Sequence, residues 1–183
     1  MALRKPRTDN DLDLLISILP SSIKSKLDNV EQLVEIALDL DKKVELLYLG
    51  DNTVITDITV DQKMIDYILS RIEPPGIDNR SGINGTLHRV SRIINKRHEP
   101  VGMTIRVGRP FVGNASLVRD LLEDNKSLLV LGSPGTGKTT MLREIARILS
   151  SELGKRVVVV DSSTEVGGEG SSPHPAIGRA RII

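Results

Sequence analysis

The run Gly132-Ser133-Pro134-Gly135-Thr136-Gly137-Lys138-Thr139-Thr140 follows the pattern G-x-x-x-x-G-K-[ST], the spacing of a phosphate-binding loop. Glycines at its bends let the backbone turn until successive amide N–H groups point at one anion. The positive end of a following helix adds to that field. Lys138 then reaches the β- and γ-phosphates of a nucleoside triphosphate, and the Thr139 hydroxyl serves as a ligand to Mg²⁺. ATP and Mg²⁺ are the cofactors this chemistry implies.

The flanks supply the elements such a loop needs. Before it, Ser127–Leu131 is a short apolar run of buried-strand length. After it, Met141, Leu142, Ile145, Ala146 and Leu149 recur at helical spacing. A second apolar run, Lys155–Asp161, reads as a buried strand that returns to a parallel sheet. Ligands in such sheets lie at the carboxyl ends of the strands, where Asp161 and Glu165 fall. Two roles compete there. Asp161 is a candidate for the Mg²⁺-side acid, and Glu165 for the general base or water-positioning carboxylate. His174, between Pro173 and Pro175, reads as structural. His88 and His98 have no partner at metal-ligand spacing, so a metal site built from side chains alone is not expected.

At 183 residues, 39% apolar and 27% charged, the chain has the composition of a soluble globular protein with one ordinary domain or two small ones. Its apolar runs are too short for a transmembrane helix. The first residues lack the apolar stretch of a secretory signal, and Asp9, Asp11 and Asp13 argue against a transit peptide. The absence of cysteine excludes disulfides and thiolate metal sites. Net charge is +1, but residues 83–114 carry six basic side chains (Arg89, Arg92, Lys96, Arg97, Arg106, Arg109) against Glu99 alone. That block is a solvated face, a subunit contact or a phosphate-binding surface. Tyr48, Tyr67 and Phe111 are too few for a base-stacking platform.

Upstream, a helix through Leu12, Leu15, Ile16 and Leu19 is capped at Asp9 or Asn10 and stopped by Pro20. A short helix near Ile23–Leu27 follows. Alternating Val34, Ile36 and Leu38 and then Val44–Leu49 predict a hairpin, with Thr53–Thr56 after it. Thr59 or Asp61 caps a helix bearing Met64, Ile65, Ile68, Leu69 and Ile72, which Glu73-Pro74-Pro75-Gly76 ends. Residues 77–85 read as a loop, Leu87–Ile94 and Val101–Val107 as paired strands, and Ser116–Asp124 as a short helix. The predicted organisation is an α+β domain over 1–107, a linker over 108–114 and a phosphate-loop core over 115–183. The fold class is α/β: a P-loop NTPase core with a truncated parallel sheet, preceded by a smaller α+β domain.

Several segments together resemble one family: Gly85-Thr86-Leu87-His88-Arg89-Val90-Ser91-Arg92-Ile93, Gly102-Met103-Thr104-Ile105-Arg106-Val107-Gly108-Arg109, the phosphate loop, Val157–Asp161, and His174-Pro175-Ala176-Ile177-Gly178-Arg179-Ala180-Arg181. They resemble the stage III sporulation protein AA type ATPases, and within these the cyanobacterial and algal-plastid branch. The likeness is strong over 83–181 and weaker over 30–82. That family is similar to the ring-forming, AAA+/RecA-like ATPases of type II and type IV secretion. The resemblance implies a hexamer, ATP bound between the two domains, and Asp161-Ser162-Ser163-Thr164-Glu165 as an acidic box whose Glu165 activates water. It also implies that Arg106 and Arg109 reach towards the nucleotide, and that the protein sits in the plastid stroma, or in the cytoplasm of a bacterium. Family members continue past the match to Arg181, and plastid relatives can add a single-strand nucleic-acid-binding module. The chain is therefore expected to be a fragment with an exposed apolar sheet edge.

The reading that results is an ATP-hydrolysing, ring-forming ATPase with Lys138 and Glu165 as its catalytic candidates. A nucleotide-gated nucleic-acid binder is the alternative, motivated by the basic block. A small-molecule kinase fits less well, because kinases place substrate lids after the loop. A GTPase would need an Asn-Lys-x-Asp base-reading motif, which Asn95-Lys96-Arg97-His98 and Asn125-Lys126-Ser127 do not supply.

Overall fold

The computed structural model describes residues 9–111, 113–124 and 126–183, with the side chains of Asp9, Asn10, Asn114 and Ser116 outside that description. The two expected caps of the first helix are among these. That helix, α1, spans Asp9–Ile18 and is followed by α2, Ser21–Lys24. The strands β1 (Leu33–Asp39), β2 (Lys43–Tyr48) and β3 (Asn52–Thr59) form an antiparallel meander. Helix α3 (Gln62–Leu69) starts where the Asp61 carboxylate accepts the Met64 N–H at 2.8 Å, the bond an N-cap makes. A second meander follows in β4 (Arg80–Gly82), β5 (Arg89–Ile94) and β6 (Pro100–Arg106). Pairing of β1 with β6 joins the two meanders into one six-stranded sheet, ordered β3-β2-β1-β6-β5-β4.

Leu12, Leu15 and Ile23 from the first two helices and Leu19 between them share one buried core with Ile36, Leu38, Val44, Leu46, Val90, Ile105 and, from α3, Ile65 and Ile68. The alternation expected of β1 is displaced at its start. A register shift between Leu33 and Glu35 buries Leu33 in place of Val34, as a bulge does by adding one residue to one strand. Strand β4 arises inside the segment expected to be a loop. Three residues suffice there, because β5 offers an edge to pair with.

The C-terminal half is built on α5, Lys138–Arg147, preceded by the short helix α4, Arg119–Glu123. After α5 the chain makes one wider turn, in which the Leu153 N–H donates to the Ile148 carbonyl at 2.9 Å. Its only ladder among the described residues is parallel, between β7 (Val158–Val159) and β8 (Arg181–Ile182). The expected strand at Ser127–Leu131 has no ladder, and Leu129 and Leu131 are 79% and 81% exposed. The expected buried strand at Lys155–Asp161 is short and one-sided, with Val158 and Val160 exposed. The physical reason is the same for both. A strand needs neighbours on its edges and cover on its faces; among the described residues Lys155–Asp161 has one ladder partner and Ser127–Leu131 has none.

Candidate nucleotide site

Thr139 and Arg143 are four residues apart on α5, so they lie on one face, a turn from each other. The Thr139 hydroxyl is 3.3 Å from Glu165 Oε2. Arg143 is buried and donates from Nε to the Val166 carbonyl at 2.8 Å and from its terminal nitrogen to the Glu165 carbonyl at 2.7 Å. Burial pulls the Arg143 pKa down, and the nearby charge of Asp161 opposes that. One helix face therefore meets both the side chain and the backbone of Glu165.

Asp161 sets the shape of the same loop from below. Its carboxylate accepts the Glu165 N–H at 3.1 Å, the Val166 N–H at 2.8 Å and the Gly167 N–H at 2.9 Å. Thr164, at φ 53°, is held in the left-handed region within that turn. Asp161, a candidate Mg²⁺-side acid in the sequence, thus spends both oxygens on backbone amides, whereas Glu165 lines the cavity beside Thr139.

Two glycines of the candidate phosphate loop sit at left-handed backbone angles. Gly135 and Gly137 have φ of 79° and 85°. A Cβ on Gly132 would meet Thr136 Oγ1 at 2.7 Å, so a side chain there would force the loop to shift. Lys138 and Thr139 open α5, with Gly137 before them and Thr140 after. Lys138 Nζ donates to the Ser133 carbonyl at 2.8 Å. Oxygen donors at Thr139 and Glu165 suit a hard divalent cation.

A cavity of about 330 Å³ lies between the sheet side and the wall formed by α5 and the loop after Asp161. Thr139, Arg143, Glu165 and Glu169 line one wall, and Leu87, Arg89, Arg106 and Gly108 the other. Arg89 and Arg106 face each other across β5 and β6, and neither is in an ion pair among the described residues. Two guanidinium groups directly opposite destabilise a ladder unless an anion sits between or near them. Glu169 is drawn up in pKa by burial, with Arg89 pulling it down.

Arg109 goes elsewhere. Expected at the nucleotide by resemblance, it donates instead to the carbonyls of Val30, Glu31 and Leu33 at 3.2, 3.0 and 2.6 Å. Arg92 binds Asn79 Oδ1 at 3.1 Å. The basic block is therefore divided among several jobs. Sequence reasoning missed Arg89, Arg143 and Glu169. A signal for Arg143 existed, since it lies one turn beyond Thr139. Arg89 becomes legible only once β5 and β6 are in register.

Backbone packs tightly beside the cavity at Gly168. At Gly168, φ is 90° and a Cβ would lie 2.5 Å from the Thr86 carbonyl oxygen. The Ser172 N–H donates to Asn84 Oδ1 at 2.8 Å, and Ser171 Oγ to Glu73 Oε1 at 2.8 Å.

No family model matches the chain. Over 175 residues it is 43% identical to the "Uncharacterized protein ycf45" of Porphyra purpurea, a match covering 94% of this chain and 31% of that protein. It is 44% identical over 174 residues to "Protein SEEDLING PLASTID DEVELOPMENT 1" of Arabidopsis thaliana, covering 93% of this chain and 25% of that one. A more distant relative is "Stage III sporulation protein AA" of Bacillus subtilis, 25% identical over 181 residues, with 84% of this chain and 59% of that protein covered. The chain thus spans about a third or less of the first two relatives' length. Among solved structures, the Legionella pneumophila ATPase DotB aligns over 83% of this chain and 47% of its own, at 12% identity and a TM-score of 0.49. No helix among the described residues is long and apolar enough to cross a membrane.

Proposed function

We propose that this chain binds ATP with Mg²⁺ and forms the nucleotide-handling part of a ring-forming ATPase of the secretion and sporulation type. The observation that carries the reading is the cavity in which Thr139 and Glu165 face the unpaired guanidinium groups of Arg89 and Arg106. Loop amides from Gly132 to Thr140 cradle the phosphates, and Lys138 swings from Ser133 onto the β- and γ-phosphates. Mg²⁺, when bound with the nucleotide, neutralises phosphate charge, and Thr139 would be its protein ligand. Glu165 orients and deprotonates the attacking water, held in place by Arg143 and by the turn that Asp161 organises. Arg89 and Arg106 stabilise the charge gathering on the transferred phosphoryl group from the opposite wall.

The division into an α+β domain over 1–107 and a phosphate-loop core over 115–183 belongs to this reading, as does a homo-hexamer. The likeness to the sporulation protein supports the ATPase, and the name of the Arabidopsis relative supports a plastid location. The test is calorimetric titration with ATP and Mg²⁺ beside steady-state turnover, on the full-length protein. Lys138→Ala is expected to remove the binding heat. Glu165→Gln is expected to bind ATP as wild type does while turnover falls roughly 10²- to 10⁴-fold, the range for loss of a general base. A Glu165→Gln protein that hydrolyses at the wild-type rate would take Glu165 out of the mechanism.

A further inference from the structure

Outside the cavity, two histidines converge on one residue. His174 Nε2 is 2.8 Å from Asp11 Oδ2, and His88 Nε2 is 2.8 Å from the Asp11 main-chain oxygen. All three residues are buried, at 4%, 1% and 6% exposure for His174, His88 and Asp11. The second nitrogen of each ring settles its tautomer. His174 Nδ1 accepts the Ala176 N–H at 3.0 Å, and His88 Nδ1 accepts the Gly108 N–H at 3.1 Å. A nitrogen that accepts carries no hydrogen, so both rings are neutral, with the hydrogen on Nε2 donated to Asp11. Neither ring has a lone pair left for a substrate proton. Their work is to hold elements together.

What they hold is specific. Asp11 lies on α1, and His174 ends the loop that begins at Asp161 and carries Glu165 and Glu169. The His174 N–H closes that loop by donating to the Gly167 carbonyl at 2.8 Å. Arg143 ties the loop to α5, and Asn84 and Glu73 tie it to the sheet side. Among the described residues, His174 alone fastens it to α1 through a buried carboxylate, whose burial is costly unless it is paired.

We propose that Asp11 and His174 form a clasp that positions the Glu165-bearing loop against the sheet and so holds the nucleotide cavity closed. His174 is then a positioning residue, acting through the loop and touching no nucleotide. The proposal deepens the ATPase reading and rests on it for its kinetic consequence, but the clasp itself has a readout independent of nucleotide.

The experiment is amide hydrogen exchange over 166–176, with ATP turnover alongside, in the full-length wild type, His174→Ala, His174→Gln and Asp11→Asn. Glutamine retains a donor near the Nε2 position, and asparagine retains an acceptor near Oδ2. Loss of this charge-assisted bond in His174→Ala is expected to speed exchange in the loop roughly ten- to hundredfold. Its kcat is expected to fall while KM moves less, since the phosphate loop is untouched. His174→Gln and Asp11→Asn are expected to keep most of the protection. Wild-type exchange in His174→Ala, or glutamine behaving no better than alanine, overturns the clasp. Should His174→Ala not fold, Asp11→Ala compared with Asp11→Asn decides. Faster loop exchange in the alanine variant with protection kept in the asparagine variant supports the clasp. Wild-type exchange in Asp11→Ala, or asparagine behaving no better than alanine, overturns it. Absence of turnover in the wild type would count against the ATPase reading and leave the exchange result standing.

Discussion

Arg143 shows how much of the site depends on a side chain outside the phosphate-loop pattern. It is buried and satisfied by two carbonyls of the loop it supports, those of Glu165 and Val166. Replacing it with methionine leaves both carbonyls without their donor, at a cost of roughly 1–3 kcal/mol in stability. Thermal or denaturant unfolding of Arg143→Met checks that figure. Turnover should fall towards that of Glu165→Gln while ATP affinity holds, because the group lost positions the base and not the phosphates. Lysine should not rescue, since one ammonium cannot reproduce a planar fork reaching two acceptors. Lys138 and Thr139 were proposed from residue type and spacing, and Glu165 as one of two competing carboxylates that the family resemblance then favoured. Arg109 was misplaced, since a positive charge in a basic block does not reveal whether phosphate or backbone carbonyls will receive it.

Elements meet closely where the loop after Asp161 crosses the β4–β5 connection. Gly168 sits there at positive φ with the Thr86 carbonyl in the space a Cβ would take, whereas Gly85, at φ 73°, has open space around it. Alanine at Gly85 pays backbone strain of about 1–2 kcal/mol. Alanine at Gly168 pays that strain and must also push the two halves apart, adding roughly 1–3 kcal/mol. Gly168→Ala is therefore expected to lower Tm more than Gly85→Ala, and to enlarge the cavity. Equal shifts in the two variants would mean that the backbone contact contributes nothing. The helices and hairpin strands of the N-terminal half were readable from period and caps. The strand at Ser127–Leu131 was not realised, because a ladder is a property of two segments and its sequence describes one.

Across the whole molecule, stability carries a pH dependence through His88. Burial lowers its pKa from the ordinary value, with the Asp11 carbonyl and charge opposing the shift. A histidine that is neutral when folded and protonates more readily when unfolded stabilises the fold fully above its unfolded pKa, about 6.5. That contribution is lost as pH falls below that value towards the folded pKa, since the unfolded chain then binds more protons. Tm should therefore decline between pH 7.5 and pH 5.5, about one unit either side of the free imidazole value, and His88→Gln should flatten the decline. An unchanged slope in that variant would assign the dependence to other groups. Charge is likewise apportioned by the whole fold. The basic block of residues 83–114 is contiguous in sequence, yet Arg89 and Arg106 enter the cavity, Arg109 crosses to the chain before β1, and Arg92 turns to Asn79.

The proposed phosphate loop can be named without a fold because its candidate residues, Gly132 to Thr140, are consecutive, where spacing dictates geometry. The same locality made Asp61 recognisable as a cap and Pro20 as a helix stop. The opposite wall of the cavity, the pairing of Arg89 with Arg106, and the joining of His174 to Asp11 bring together residues that are far apart along the chain. Those contacts exist only after the β1–β6 pairing and the docking of the loop after Asp161 have been made, and no local pattern encodes them.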